Sequence, residues 1–138
     1  MANFTKSYKA NVGLNHTPAY QVSGRPFASA SIDGQNAVKV DFPFVTRWVQ
    51  VTNTSANAVR VGFSEIGVSG SNHFTLQGSG SVRGHVSTER LELKITQLWL
   101  YSPAKATSID IVAGLTTIPV SRASSSFGPS FSGSTGVG

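Results

Sequence analysis

The chain has no cysteine. Disulfides, thiolate metal sites and cysteine nucleophiles are thereby excluded, and nothing follows about compartment. Charge is scarce as well: Asp, Glu, Lys and Arg make up 12% of 138 residues, about half the usual share. A monomer exposed on every side ordinarily carries more, whereas interface cores are depleted of Lys, Glu and Asp. Ser, Thr, Asn and Gly take the place of charge. That composition suits a surface covered by other molecules; an ordinary β domain with a hydroxyl-rich surface is the plainer reading. Carboxylates are rarest, six against eleven Lys and Arg, for a net charge of +5. The basic residues are scattered singly, without the cluster or stripe that reads nucleic acid, so no specific nucleic-acid partner is expected. No apolar run approaches the roughly 20 residues that span a bilayer. Residues 1–6 also lack the basic start and apolar run of a secretion signal.

Helical periodicity is missing too, apart from one short turn near Ser64, Glu65 and Ile66. In its place is a period of two. Val38, Val40, Phe42 and Phe44 alternate with Lys39, Asp41 and Pro43, and Val59, Val61 and Phe63 with Arg60, Gly62 and Ser64. Leu91, Leu93 and Ile95 alternate with Glu92, Lys94 and Thr96; Leu98 and Leu100 alternate with Trp99 and Tyr101. Short alternating runs rich in β-branched and aromatic residues, bounded by Gly, Asn, Asp and Ser, read as strands. The expected strands are 20–22, 27–32, 37–44, 46–53, 59–64, 73–76, 89–95, 97–101 and 108–115.

Eight or nine such strands imply an all-β fold, an antiparallel two-sheet sandwich or a barrel. The eight-stranded single jelly roll fits count and length best. An immunoglobulin-type sandwich comes second, without a Cys–Trp–Cys framework to support it. The chain divides into an extended N-terminal arm (1–17), the sandwich (18–120) and a Ser/Gly-rich tail (121–138). The arm is polar with isolated Phe4, Tyr8, Val12 and Leu14. It either adds a strand to a neighbour's sheet or forms an edge of its own domain. The tail is too poor in apolar surface to order itself. It needs a holder, either a neighbouring subunit, which is the expectation, or a crevice on its own body.

Catalytic patterns do not emerge. His16, His73 and His85 are not at metal-ligand spacing from one another. No Gly-x-Ser-x-Gly elbow stands between a strand and a helix. Residues 78–84 miss the dinucleotide glycine spacing by one position and lack a following helix. Glu89 and Glu92, three apart on a strand, project to opposite faces and do not make a glycosidase pair. The six acids read as solvated or as cross-strand partners of Lys39, Lys94 or Arg60. Trp48, Trp99, Tyr20 and Tyr101 offer sugar-stacking platforms, but large aromatics also anchor interfaces, and subunit contact is the stronger reading. No catalytic, cofactor or metal residue is therefore expected, and the chain is not read as an enzyme. The candidate interface residues are Phe4, Tyr8, Trp48, Trp99, Tyr101, Phe127 and Phe131.

Several stretches carry a family resemblance: 18–28 (Pro-Ala-Tyr-Gln-Val-Ser-Gly-Arg-Pro-Phe-Ala), 45–54 with its Trp48-Val49-Gln50-Val51-Thr52-Asn53 strand, Val61-Gly62-Phe63-Ser64, and 109–119. Together, over roughly residues 18–120, they resemble the small single jelly-roll penton or vertex capsid proteins of large icosahedral double-stranded DNA viruses. The resemblance implies a structural virion protein standing at a five-fold vertex, its ring closed by head-to-tail contacts. Neighbouring major and minor capsid proteins would surround it, with arm and tail reaching between them and no catalytic residue. Two other classes share the features: a decoration, cement or phage tail or fibre component, which would be a trimer, and a lectin-like carbohydrate-binding module.

Overall fold

The computed structural model describes residues 13–15, 17–21, 24–79, 86–103, 105–124 and 128–138. The period-two segments form eight strands: β1 (Arg25–Ile32), β2 (Val38–Asp41), β3 (Phe44–Asn53), β4 (Val59–Gly62), β5 (His73–Leu76), β6 (Val86–Ser87), β7 (Gln97–Tyr101) and β8 (Ile109–Pro119). Two short α-helices accompany them, α1 (Thr17–Gln21) and α2 (Glu65–Ser69), with a 3₁₀ turn at Val120–Ala123. No helix among the described residues is long and apolar enough to cross a membrane.

The strands make two antiparallel four-stranded sheets, ordered β1-β8-β3-β6 and β2-β7-β4-β5. Every consecutive pair of strands changes sheet except β4 and β5, which α2 joins within one sheet. This is jelly-roll-like connectivity, the two-sheet sandwich expected from the alternation.

Alternation decides which side chains meet between the sheets. Val49, Val51, Ile109, Ile111, Ala113 and Leu115 come from the first sheet; Val59, Val61, Leu76, Leu98 and Leu100 come from the second. Each fully buried aliphatic contributes about 1.5–3 kcal/mol by leaving water. Phe27 and Phe42 close one side of this core edge to face, their ring centroids 5.0 Å apart. A second, smaller cluster gathers Val45, Ile118 and Ala123 with Leu14, Ala19, Tyr20 and Phe131. It fastens α1 and part of the tail to the far ends of β3 and β8.

The strand expectations need correction at four places, the first being β6 (Val86–Ser87), which lies in none of the expected runs. Residues 20–22 do not begin a strand: Tyr20 and Gln21 lie in α1, where Pro18 sits in the first turn and costs no helical hydrogen bond. The run 37–44 breaks at Phe42 and Pro43, and the Phe42 N–H turns to the Thr96 carbonyl at 2.9 Å. Residues 89–95 form no regular strand. Leu91 exchanges both backbone bonds with Val49, but the Thr46 side chain then takes the place of a ladder. Its hydroxyl donates to the Leu93 carbonyl (2.6 Å) and accepts the Ile95 N–H (3.1 Å).

The sandwich has two unlike ends. At one, the loops after β1, β3 and β7 are sewn together mostly by neutral groups, with the Asp33 carboxylate accepting the Thr107 N–H at 3.1 Å. The Gly34 N–H donates to Thr107 Oγ1 (2.7 Å), Ser102 Oγ to the Ala58 carbonyl (2.7 Å) and Asn57 Nδ2 to the Ala106 carbonyl (2.8 Å). Buried Asn53 braces the same end, donating to the Asn57 carbonyl (2.7 Å) and accepting from the Ser55 hydroxyl (2.6 Å). The other end carries α1, α2, the 88–96 connector and the tail.

The substitution Leu100→Ala is expected to lower unfolding free energy by about 2–5 kcal/mol, measured by chemical denaturation with the slope unchanged. Gly62→Ala should also destabilise, because a Cβ there would meet Val68 Cγ1 at 2.6 Å.

Candidate functional site

The polar, uncharged sequence gives this surface its character, so the site is built from hydroxyls and aromatics more than from charges. Of the expected interface residues, Phe4, Tyr8 and Phe127 lie outside the described residues. The remaining four do not converge. Trp48 sits on the outer face of the first sheet, opposite Gly114, which has no Cβ to block the indole. The Arg90 guanidinium lies 5.9 Å from the Trp48 ring centroid. Trp99 and Tyr101 share the outer face of the second sheet, because Leu98 and Leu100 point inward. Arg60 stands over Tyr101 at 5.8 Å. The two tryptophans thus belong to opposite faces of the sandwich and cannot form one stacking platform. Phe131 packs into the small cluster with Val45 and Ile118, so its ring serves its own chain's interior.

The described part of the tail finds partners on its own body. Ser130 is fully buried, and its Oγ accepts the Thr96 N–H at 3.0 Å. The Phe131 N–H donates to the Ala123 carbonyl at 3.0 Å. Further along, Ser64 Oγ donates to the Val137 carbonyl (2.7 Å) while accepting the Gly67 N–H (2.9 Å) that opens α2. One hydroxyl therefore caps a helix and ties down the chain end. Ser130 and Phe131 adopt left-handed backbone, φ +52 and +65, a conformation costly for residues with side chains. Buried contacts on both sides hold them there. Of the two holders the composition calls for, a crevice on the same molecule is present in this chain.

Tail, α2 and the second sheet enclose a depression of about 480 Å³ lined in part by Lys39, Glu65, Gln97, Trp99 and Ser132. Trp99 Nε1 is buried and has no hydrogen-bond partner among the described residues. A groove of about 440 Å³ follows the other side of the tail, between Phe63, Leu93, Ile95, Phe131 and Val137.

Charges are spread along the surface. Lys39 pairs with Asp41 (3.5 Å) and Arg90 with Glu92 (3.2 Å). Both are same-strand or same-segment neighbours, not the cross-strand pairs expected, and both are exposed enough to contribute little. Arg60 and Lys94 stack on Tyr101 and Tyr20 instead. No group of three His, Cys, Asp or Glu converges among the described residues. His73 lies beside the Gly67 carbonyl at 3.2 Å, and His16 and His85 fall outside the described residues. Tyr20 donates its hydroxyl to the Leu14 carbonyl at 2.6 Å, and burial raises its phenol above the ordinary 10.0.

Sequence reasoning missed Ser64, Thr46, Thr96 and Ser130, the polar residues that organise this end. Only Ser64 carried a local signal, as a serine just ahead of a helical turn. The chain matches no protein-family model, no curated protein and no solved structure.

Ser130→Ala leaves the buried Thr96 N–H unpaired. A loss of about 1–3 kcal/mol is expected, together with faster hydrogen exchange at the Thr96 amide. Unchanged exchange would mean that the tail is not held there. Tyr20 also gives stability a pH signature. Its phenol is protonated longer in the folded chain than in the unfolded one, so its contribution is complete below pH 10.0 and declines as pH rises above it. Alkaline thermal melts of Tyr20→Phe should fall less steeply with pH than those of the parent.

Proposed function

We propose that this chain is a structural shell component that works by packing against copies of itself and neighbouring capsid proteins, with a five-fold vertex of a virion as the best-fitting place. The observation that carries the reading is the outer face of the first sheet. Ala28, Ala30 and Val112 stand exposed there beside half-buried Gln50 and Thr52. The charged side chain on this stretch is Asp110, whose Oδ1 is occupied by the Ser31 N–H at 3.0 Å. This stretch of small neutral side chains, bordered on the same face by Trp48 and Arg90, pairs with a neighbour while desolvating little charge. The other supports are the low overall charge, the resemblance over residues 18–120, and a polar apparatus spent on holding loops and tail. Such a component has no cofactor and no chemical step.

A trimeric decoration, cement or fibre protein is the second reading, and stoichiometry separates the two. The half-covered Trp99 and Tyr101 favour a third, a glycan-binding module. It requires glycan binding that disappears with Trp99→Ala.

The experiment is native mass measurement of the purified chain over a concentration series, with electron microscopy of the product. Closed five-membered rings are expected. Ala28→Glu combined with Val112→Glu should keep the β-rich circular dichroism spectrum while shifting the equilibrium at least tenfold toward monomer. A parent chain that stays monomeric at every concentration would overturn the reading.

A further inference from the structure

The connector from Glu92 to Ile95 is an open sheet edge. Leu91 and Ile95 turn their backbone groups inward, to Val49 and Thr46. The alternate residues, Glu92 and Lys94, face the other way, and their N–H and C=O groups meet no partner among the described residues. Together with β6 this connector lines the outer margin of the first sheet over residues 86–94 as an irregular edge: pairing to β3 is interrupted between Thr88 and Leu91, and a Leu93 N–H to Leu91 carbonyl bond (3.0 Å) bends the chain at Glu92. Grooves of about 440 and 300 Å³ flank it, sharing Glu92, Leu93 and Lys94 in their walls. An edge with unpaired backbone groups, an apolar groove on one side and a charged one lined by Arg47, Glu92 and Lys94 on the other, is a template for one more strand.

The chain contains a segment of matching character. Residues 1–12 place Phe4, Tyr8, Ala10 and Val12 on one side of an extended chain and Asn3, Thr5, Ser7, Lys9 and Asn11 on the other. The side bearing Phe4 is interrupted by Lys6 alone. Twelve extended residues reach about 40 Å, more than the edge requires. The arm holds Lys6 and Lys9 and no acid; the edge balances Glu89 and Glu92 with Arg90 and Lys94, Arg90 lying 3.2 Å from Glu92, so charge neither favours nor opposes the pairing.

We propose that the edge 86–94 receives the N-terminal arm of a second copy of this chain as an antiparallel strand. Direction selects the second copy over the chain's own arm. The described chain begins at Gly13, and Asn15 Oδ1 already accepts from Lys94 Nζ at 3.0 Å. An arm rooted beside Lys94 can follow its own edge only toward residue 86, which makes the two segments parallel. Parallel pairing is the weaker ladder and is out of keeping with a wholly antiparallel sheet. A second copy's arm is not rooted there and enters in the favourable direction. The exchange repeats from copy to copy and closes a ring when the rotation allows. This inference rests on the reading of the chain as a self-assembling component, and adds to it the segment that links the copies.

A cysteine-free background makes the test direct. Asn11→Cys and Ser87→Cys are placed on separate, differently mass-tagged copies of the full chain, mixed, and treated with a short bismaleimide. The expected product is the mixed dimer, with little internal linkage in the double variant at high dilution. An internal link as the main product, or no link between copies that do assemble, overturns the arm exchange. Persistence of the parent oligomer after removal of residues 1–12 overturns it as well. In both cases the self-assembly reading stands. That reading fails separately, if the full chain never associates.

Discussion

Neither sheet of this sandwich can be completed without the other. Because only the β4–β5 connection stays within a sheet, each strand is laid against neighbours that are distant in sequence. β1 pairs with β8, and β3 lies between β8 and β6. Stability therefore comes from the apolar seam between the sheets more than from any local segment, and few partial structures retain much of it. Leu98, Leu100, Val49 and Val51, fully buried in that seam, fix which face of each strand turns outward. Everything on the surface inherits its position from them, including the separation of Trp48 from Trp99.

This domain finishes its ends mostly with neutral hydrogen bonds, Asp33 and Asp110 adding charged acceptors for backbone N–H groups. Thr46 substitutes for a missing stretch of ladder, Ser64 serves a helix and the chain end together, and Asn53 bonds four backbone groups, the Ser55 N–H and the Asn57, Leu76 and Gln77 carbonyls. Hydroxyls and amides perform these tasks at close range without the desolvation cost of an ion pair. The small number of charged residues is thus compatible with a well-determined surface.

Much of the architecture was legible in alternation alone. His73–Leu76 and Gln97–Tyr101 match their expected bounds; the first has turn residues on both sides (Gly70-Ser71-Asn72 and Gly78-Ser79), the second a sharp stop at Ser102-Pro103. The failures lie where alternation is real but backbone pairing is decided elsewhere. Leu91, Leu93 and Ile95 do point inward, yet bulges in β3 around Thr46 put side chains where a ladder would run. Tyr20 was read as strand because aromatic residues favour sheets. Its place in α1 follows from a cluster with Val45 and Ile118, which are far away in sequence. The tail was beyond sequence reasoning for a related reason. Its anchor is the serine Oγ of Ser130, and nothing in a Ser/Gly run distinguishes one hydroxyl from its neighbours.

The two ends of the sandwich give the molecule a polarity. Gly13 and Gly138, the outermost described residues, belong to the end that also holds α1 and α2, while the knotted loops around Gly34, Asn57 and Thr107 occupy the opposite one. Copies laid side by side in a common orientation would all show the same loops to one side of a layer and the same termini to the other. Variation in those loops could then restyle one surface of the layer while the seams beneath it stayed the same.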